Sequence, residues 1–431
     1  MGRIKNQAFI DKCIVSFSHN RYESRSSADR FALEKARREI AQKKKGVSHL
    51  ILRAEGEAID RLKFLFLVGG IPIMCFSLGN LLLSSLKEIV VVGSSEVKLI
   101  LDHFLEVVDT RGKKVRFVHE DPDNLMLINT MILGRNQLSL AANELVLFQP
   151  GDLPFMYDLE GVLRDPDLMY HNLILWLNSR QAMFPDFQEK PESEFVARNY
   201  HYRAIDDQPP HLHDLKEPNV YPINLSAVEE DIIELLHQTR KDGKILNAGI
   251  SKVLRSPTRM LRLLPVLANH FRRFDSDLKK FRLNDQFKFG MHLDNFNRGT
   301  SILLDTPFLA KFNHDPAFVA DVDALEDWED YESLIHVANG HHGGEGLGTI
   351  HPFGMELLRF KNKCMPQLKK LVPMYADFPG YLNDIYRSLE MQYVPYDSEG
   401  RYDTPNLHTP LVENACRWYA EKTLQFIRKT A

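Results

Sequence analysis

Between Leu50 and Asp152 the chain alternates short apolar runs with helical stretches, and this alternation restricts the fold more than any other feature. Ile89-Val90-Val91-Val92-Gly93 is a continuous β-branched run ending in glycine, the pattern of a strand buried on both faces of a parallel sheet. Around it, His49–Leu52, Leu65–Val68, Val115–Val118 and Leu145–Phe148 read as extended pieces, and Ile73–Leu86 and Val97–Val107 as helices. Strands alternating with helices predict βαβ units, hence an α/β fold with a three-layer α/β/α arrangement and a mixed, mostly parallel sheet. Ligands in such sheets bind beyond the carboxyl ends of the strands.

One stretch competes with this reading. Phe64–Leu86 carries no charge over 23 positions, long enough for a helix that crosses a bilayer. Gly69-Gly70-Ile71-Pro72 interrupts it, and Gly79-Asn80 and Ser84-Ser85 follow. A strand, a tight turn and a buried helix therefore describe it better than a membrane span. With 431 residues, 44% hydrophobic and 26% charged, the chain has the composition of a globular protein and the length for two or three domains, or one large domain with an elaboration. A net charge of -4 gives no electrostatic footprint for nucleic acid. Cys13, Cys75, Cys364 and Cys416 lie far apart without metal-type spacing, which predicts reduced thiols in a cytoplasmic protein. The N-terminus lacks the apolar core of a signal peptide, and Asn6 stands where myristoylation wants Ser or Thr.

Three segments are expected. Residues 1–46 form an N-terminal helical arm, with Ser26-Ser27 capping a helix that ends in Lys43-Lys44-Lys45. Residues 47–337 form the α/β domain. Within it Asp167–Leu177, Ala227–Arg240 and Pro257–Phe274 read as helices, and Asp206–Asp214 as a Pro/His/Asp-rich loop. The glycine-rich piece Gly340–Gly346 introduces a helical C-terminal extension, residues 338–431.

Chemistry gathers at three places. Ala54 and Gly56 lie in the loop after the first expected strand, with Lys63 shortly after and Gly69-Gly70 beyond. Gly151-Asp152-Leu153-Pro154 ends another strand, and Asp321-Val322-Asp323 offers further carboxylates. Backbone N–H groups, one fixed cation and carboxylates able to hold a divalent metal are the parts needed to bring two anionic substrates together.

In this order the elements resemble the GT-A-like nucleotidyltransferases, which include the sugar-phosphate and molybdenum-cofactor guanylyltransferase types. Leu50–Pro72 resembles their L-A-A-G-x-G-x-R, P-K and G-G-x-P-L opening, Gly151–Pro154 their G-D-x-P, and Asp321–Trp328 their D-x-D-T-P-E-D-L. The resemblance implies a magnesium-dependent enzyme that moves an NMP group from an NTP to a phosphorylated small-molecule acceptor, a sugar phosphate or similar, with pyrophosphate release. Asp152 and Asp323 would hold Mg2+, with Asp321 competing for the second place. Lys63 would neutralise phosphate charge and share the catalytic role with Asp152. Ala54, Gly56 and Lys63 would hold the nucleotide. Leu215–Tyr221 resembles the family's K-E-G-N segment, which would put Glu217 and Asn219 on the acceptor. Ala58 stands where the family has arginine, one loop glycine is missing, and Glu55 and Glu57 flank Gly56. The alternative is therefore a catalytically inactive nucleotide- or partner-binding protein on the same fold.

Other groups have ordinary readings. His341, His342, Glu345 and His351 lack His-Glu-x-x-His spacing and read as solvated residues of a glycine-rich loop. His211, His213 and Asp214 read as exposed loop residues, and Glu189-Lys190-Pro191 as loop. Arg255, Arg259, Arg262, Arg272 and Arg273 read as a solvated helix face that an anionic acceptor or lipid head group could also use.

Overall fold

The structure is a computed structural model that describes residues 6–18, 63–123, 127–155, 158–179, 202–207, 210–216, 219–228, 256–281, 290–313, 315–322, 325–388 and 410–430. In chain order its strands are β1 (Lys12–Phe17), β2 (Leu67–Val68), β3 (Ile71–Pro72), β4 (Glu88–Gly93), β5 (Lys114–His119) and β6 (Val146–Pro150), then β7 (Leu173–Ser179), β8 (Tyr202–Asp207), β9 (Pro210–Lys216), β10 (Tyr221–Ile223), β11 (Gly290–His292) and β12 (Phe308–Asn313). The helices are α1 (Ile73–Leu83), α2 (Ser95–Val107), α3 (Leu127–Arg135), α4 (Leu159–Leu163), α5 (Pro257–Phe281) and α6 (Leu293–Leu303), then α7 (Leu325–His342), α8 (Gly346–Ile350), α9 (Gly354–Leu371), α10 (Pro373–Ala376), α11 (Phe378–Ser388) and α12 (Pro410–Thr430).

The chain divides into two compact units. One comprises Met1–Ile14, Met126–Pro150 and Tyr157–Ala320; the other comprises Val15–Leu125, Gly151–Met156 and Asp321–Ala431. The class is α/β, with the helical C-terminal extension that the sequence predicts.

In the first unit the strand order is β11-β8-β9-β7-β10-β6, with β12 also on β7. The pairing is mixed. β12 runs parallel to β7 and β11 parallel to β8, whereas β10 is antiparallel to both β6 and β7. Leu173-Ile174-Leu175-Trp176-Leu177, expected as helix, is strand β7, hydrogen-bonded along its length to β12. A short apolar run has no periodicity to separate the two states, and the neighbouring strands decide. Asp206–Asp214, expected as loop, is a β8–β9 hairpin with Asp206 opposite His211 and Arg203 opposite Asp214. Pro210 is tolerated there because it is the first residue of its strand.

In the second unit β4 and β5 pair parallel from Glu88↔Lys114 to Gly93↔His119, and every residue of β4 after Glu88 is buried. Ser94 caps α2 by accepting from the Val97 N–H at 3.4 Å. Helix α1 is apolar all round and all but its last residue is buried, as a helix without a polar face must be. The break at Gly69-Gly70 is a two-residue hairpin between β2 and β3. Both glycines have positive φ, 59° and 77°, which side-chain-bearing residues rarely adopt.

The arm expected over residues 1–46 is not wholly helical, because Lys12–Phe17 is strand β1, buried from Cys13 onward. Cys13-Ile14-Val15 is too short a run to stand out between charged neighbours. The expected helix over 28–45 and strand over 49–52 lie outside the described residues, as does most of the helix expected over 227–240. The boundary expected at 337/338 falls inside α7, which continues to His342 and is followed by Gly343 at φ 67°. Among the described residues no helix is long and apolar enough to cross a membrane.

The core of the second unit is aromatic. Phe104 of α2 is fully buried and packs on Phe353 and Phe360, with ring centroids 6.2 and 5.4 Å away. Phe104→Ala is expected to destabilise the protein by about 3–5 kcal/mol, measured by denaturant unfolding, because these ring neighbours cannot collapse into the space.

Candidate functional site

Asp152 occupies the turn immediately after β6, and its neighbours fix that turn from several sides. The Gly151 N–H donates to the Ser16 carbonyl at 2.8 Å. The Ser77 hydroxyl of α1 lies within hydrogen-bonding distance of the Gly151 and Leu153 carbonyls, at 2.6 and 2.9 Å. Gly151 has no room for a side chain: a Cβ there would stand 2.0 Å from the Phe17 ring. Beyond the turn, the Phe155 ring lies against Tyr331 and Tyr419, with centroids 5.1 and 4.5 Å away. A turn held this firmly gives its carboxylate a defined direction.

That carboxylate meets Lys63. The Lys63 ammonium lies 2.5 Å from Asp152 Oδ2, and the two side chains are only 10% and 7% exposed. Lys63 opens a 3-10 turn, Lys63–Leu65, whose Phe64 ring meets Phe17 edge-on at 5.5 Å. The other carboxylate oxygen, Asp152 Oδ1, is buried and has no hydrogen-bond partner among the described residues. Buried polar atoms are rarely left in that condition.

The third chemical element approaches through the backbone. The Val322 N–H donates to the Asp152 carbonyl at 3.2 Å, which brings the start of the Asp321-Val322-Asp323 segment beside the turn. Asp321 is half-buried, and its charge adds to those of Asp327 and Asp330 in raising the Tyr331 phenol well above its usual range, after burial itself and Tyr419. Asp323 lies outside the described residues, and so do Ala54, Gly56 and Glu217. Asn219 belongs to the other compact unit, where its N–H donates to the Phe318 carbonyl at 3.3 Å. The structure thus unites Lys63 and Asp152 and puts the Asp321–Val322 backbone next to them.

The sequence reading missed a second set of groups, which fastens the hairpin that follows Lys63. The Gly69 N–H donates to Glu332 Oε2 at 2.6 Å, and the Lys361 ammonium donates to the Gly69 carbonyl at 2.7 Å. The Trp328 indole N–H donates to the Leu67 carbonyl at 2.7 Å, and the Tyr375 hydroxyl to the Leu65 carbonyl at 2.8 Å. Four side chains from α7, α9 and α10 therefore hold the segment 65–69. Glu332 sits in the acid-rich run Glu326–Glu332, where no motif sets one carboxylate apart from the others. Trp328, Glu329, Asp330 and Glu332 are all buried.

Burial pushes the Glu332 carboxyl up to about 7, against the Gly69 N–H and the Lys361 ammonium, which favour the charged form. Burial pushes His351 down to about 3, with the Pro154 carbonyl opposing. The His351 Nδ1 accepts the Phe353 N–H at 3.1 Å, so the proton of the neutral ring sits on Nε2. His341 and His342 end α7 and are exposed; His341 lies 3.4 Å from Glu413.

A divalent cation can be tested against this arrangement. Among the described residues no group of three or more His, Cys, Asp or Glu side chains is placed to hold a metal. Magnesium commonly takes one or two carboxylates and fills its other positions with water and substrate phosphates. The unpartnered Asp152 Oδ1 fits that role.

No protein-family model and no curated protein matches the chain. Among solved structures it is similar to a hypothetical transferase from Thermus thermophilus, at 13% identity and a TM-score of 0.37, over 74% of this chain and 100% of that one. It is also similar to 4-diphosphocytidyl-2C-methyl-D-erythritol synthase from Anaerococcus prevotii, at 11% identity and a TM-score of 0.35, over 77% and 100%. A third is the inositol-1-phosphate CTP transferase from T. maritima, at 12% identity and a TM-score of 0.28, over 51% and 71%. All three are named as transferases or synthases.

The Glu332 clamp has a measurable sign. A carboxyl whose folded pKa is raised contributes stability that is complete below its unfolded value of 4.5 and is lost as pH rises through about 7. Between pH 5 and 8 the wild type is expected to lose up to about 3 kcal/mol relative to Glu332→Gln, read as the difference between their unfolding free energies. The buried His351 works in the opposite direction and is common to both proteins, so it cancels. Parallel profiles would contradict the assignment.

Proposed function

We propose that this chain is a nucleotidyltransferase of GT-A-like type, which moves an NMP group from an NTP to a phosphorylated small-molecule acceptor, a sugar phosphate or similar. The observation that carries this reading is the buried pair of Lys63 and Asp152, in which one carboxylate oxygen has no partner among the described residues. Nucleotidyl transfer needs a fixed cation for phosphate and a carboxylate for a metal within a few ångströms of each other. The resemblance of Leu50–Pro72, Gly151–Pro154 and Asp321–Trp328 assigns those two parts to the same two residues.

In this reading an acceptor phosphate oxygen attacks the α-phosphorus of the NTP. The bond from that phosphorus to the α–β bridging oxygen breaks, and pyrophosphate leaves. Lys63 turns from the carboxylate to the phosphates and offsets their charge. Asp152, with Asp323 as the proposed second carboxylate, would hold Mg2+, which would lower the charge of the triphosphate and of the leaving pyrophosphate. Ala54 and Gly56 approach the nucleotide, and Glu217 and Asn219 the acceptor. Because the four cysteines are all free and buried, the proposal includes a cytoplasmic, reducing setting.

Ala58 and the flanking Glu55 and Glu57 favour a second reading, a protein that binds nucleotide without turning it over. The two part on one assay. Pyrophosphate release is expected from at least one of the four NTPs with Mg2+ and a panel of sugar phosphates. Asp152→Asn should lower that release by roughly 100-fold or more, the loss of several kcal/mol of charge stabilisation, with thermal midpoints measured to separate loss of fold. Nucleotide binding without release across the panel would select the second reading.

A further inference from the structure

Helix α5 carries an apolar face that the described residues leave exposed. Its inner face is accounted for: Leu263 and Val266 are buried, and Met260, Leu267, Ile302 and Leu303 pack on them. On the opposite side Leu261, Leu264 and Phe271 are 66%, 51% and 65% exposed. With the exposed Pro265 and Ala268 between them, they follow helical spacing and form one stripe, about 15 Å long at the rise of an α-helix. A single exposed leucine means nothing, but three large apolar side chains aligned on one helix mark a contact surface.

The charge around the stripe is predominantly basic, although Arg259 and Arg262 pair with Asp305 and Arg273 pairs with Asp294. Residues 257–281 contain six basic residues and two acidic ones, Asp275 and Asp277, a net +4 in a chain whose net charge is -4. Arg272 is exposed at the end of the stripe and Arg262 flanks it, 56% exposed. Arg262 also lines a cleft of about 440 Å³, shared with His171, Arg298 and the apolar Ile302, Phe308 and Leu309. The cleft's polar groups are partly committed. Arg262 donates to Asp305 at 2.9 Å, and Asn297 and Ser301 spend their side chains on the β12 backbone. Arg298 is exposed and makes no hydrogen bond or ion pair that ties it down among the described residues. The cleft therefore presents a cation above an apolar floor, next to an apolar stripe.

We propose that α5 is a membrane-docking helix, which lays the Leu261–Phe271 stripe into the interface of an anionic bilayer while Arg262, Arg272 and Arg298 meet lipid phosphates. Helices of this build, a strip of Leu and Phe beside basic residues, lie in the plane of the interface rather than across it. The charge excludes the simplest competing occupant. In a two-fold dimer the stripe meets its own copy, which would set two +4 helices side by side. An anionic lipid surface complements both the apolar and the basic part. Docking of this kind is independent of the nucleotidyl transfer proposed above and stands or falls separately.

The test is co-sedimentation of the full-length protein with sucrose-loaded vesicles of pure phosphatidylcholine and of phosphatidylcholine with 30% phosphatidylserine. Binding to the anionic vesicles is expected to be roughly tenfold or more tighter, since each exposed arginine near such a surface strengthens binding roughly fivefold, and to weaken with salt as charges are screened. Combined Leu261→Gln, Leu264→Gln and Phe271→Gln should abolish association. Combined Arg262→Gln, Arg272→Gln and Arg298→Gln should keep weak binding and lose most of the preference for anionic lipid. Circular dichroism and the thermal midpoint verify that these surface variants fold. Equal binding of the wild type to both vesicle types, or no binding to either, overturns the proposal. So does a dimer in solution that the triple variant turns into a monomer.

Discussion

Everything about the candidate site follows from a buried ion pair that the protein gains little stability by making. Desolvating an ammonium and a carboxylate costs several kcal/mol for each ion, and their attraction in the interior roughly offsets that cost. Lys63 and Asp152 nonetheless meet at 2.5 Å, almost out of water. Stability alone does not account for them, and less still for the Asp152 oxygen that faces no donor among the described residues. The proposed role as a site for a metal ion and a triphosphate would account for them: each charge neutralises the other in the absence of ligands, and neither needs to be brought in from solvent.

The surrounding structure is arranged to hold the two ends of that pair. Asp152 is fixed by Ser77, by the Phe17 ring that fills the space at Gly151, and by Phe155 between Tyr331 and Tyr419. Lys63 is fixed through the hairpin that follows it. The two positive-φ glycines turn the chain back, and Glu332 and Lys361 bind the N–H and the carbonyl of one residue, Gly69. The C-terminal helices thus take part in the site, because α7, α9 and α10 supply the groups that hold segment 65–69. A carboxylic acid kept near neutrality in this clamp can accept the Gly69 N–H without a full buried charge.

How much of this the sequence reveals depends on the kind of signal. The run Ile89–Gly93 is legible because β-branched residues without a polar partner have few other places to go, and Gly69-Gly70 because few other sequences make that turn. Lys63 and Asp152 are legible as separate motif residues. Their contact is not, because 89 positions separate them and no periodicity joins them. Leu173–Leu177 misleads because a short apolar run suits helix and strand equally, and only pairing with β12 settles it. Glu332 is not legible for a different reason: acidic residues normally face water, and only tertiary packing buries this one. The exposed stripe on α5 was read as a basic face because its arginines are conspicuous and the leucines between them pass as core.

The account turns on whether Lys63 and Asp152 together form a magnesium-dependent triphosphate site. Calorimetric titration of each of the four ribonucleoside triphosphates, with and without Mg2+, tests this most directly. The proteins required are the wild type, Lys63→Gln, Asp152→Asn and the double variant, which removes both buried charges at once. The account predicts binding of at least one triphosphate that requires Mg2+ and weakens roughly tenfold or more in each variant, the scale of one lost charge-assisted contact. Binding of the same strength in the double variant, or no binding of any of the four to the folded wild type, would contradict it.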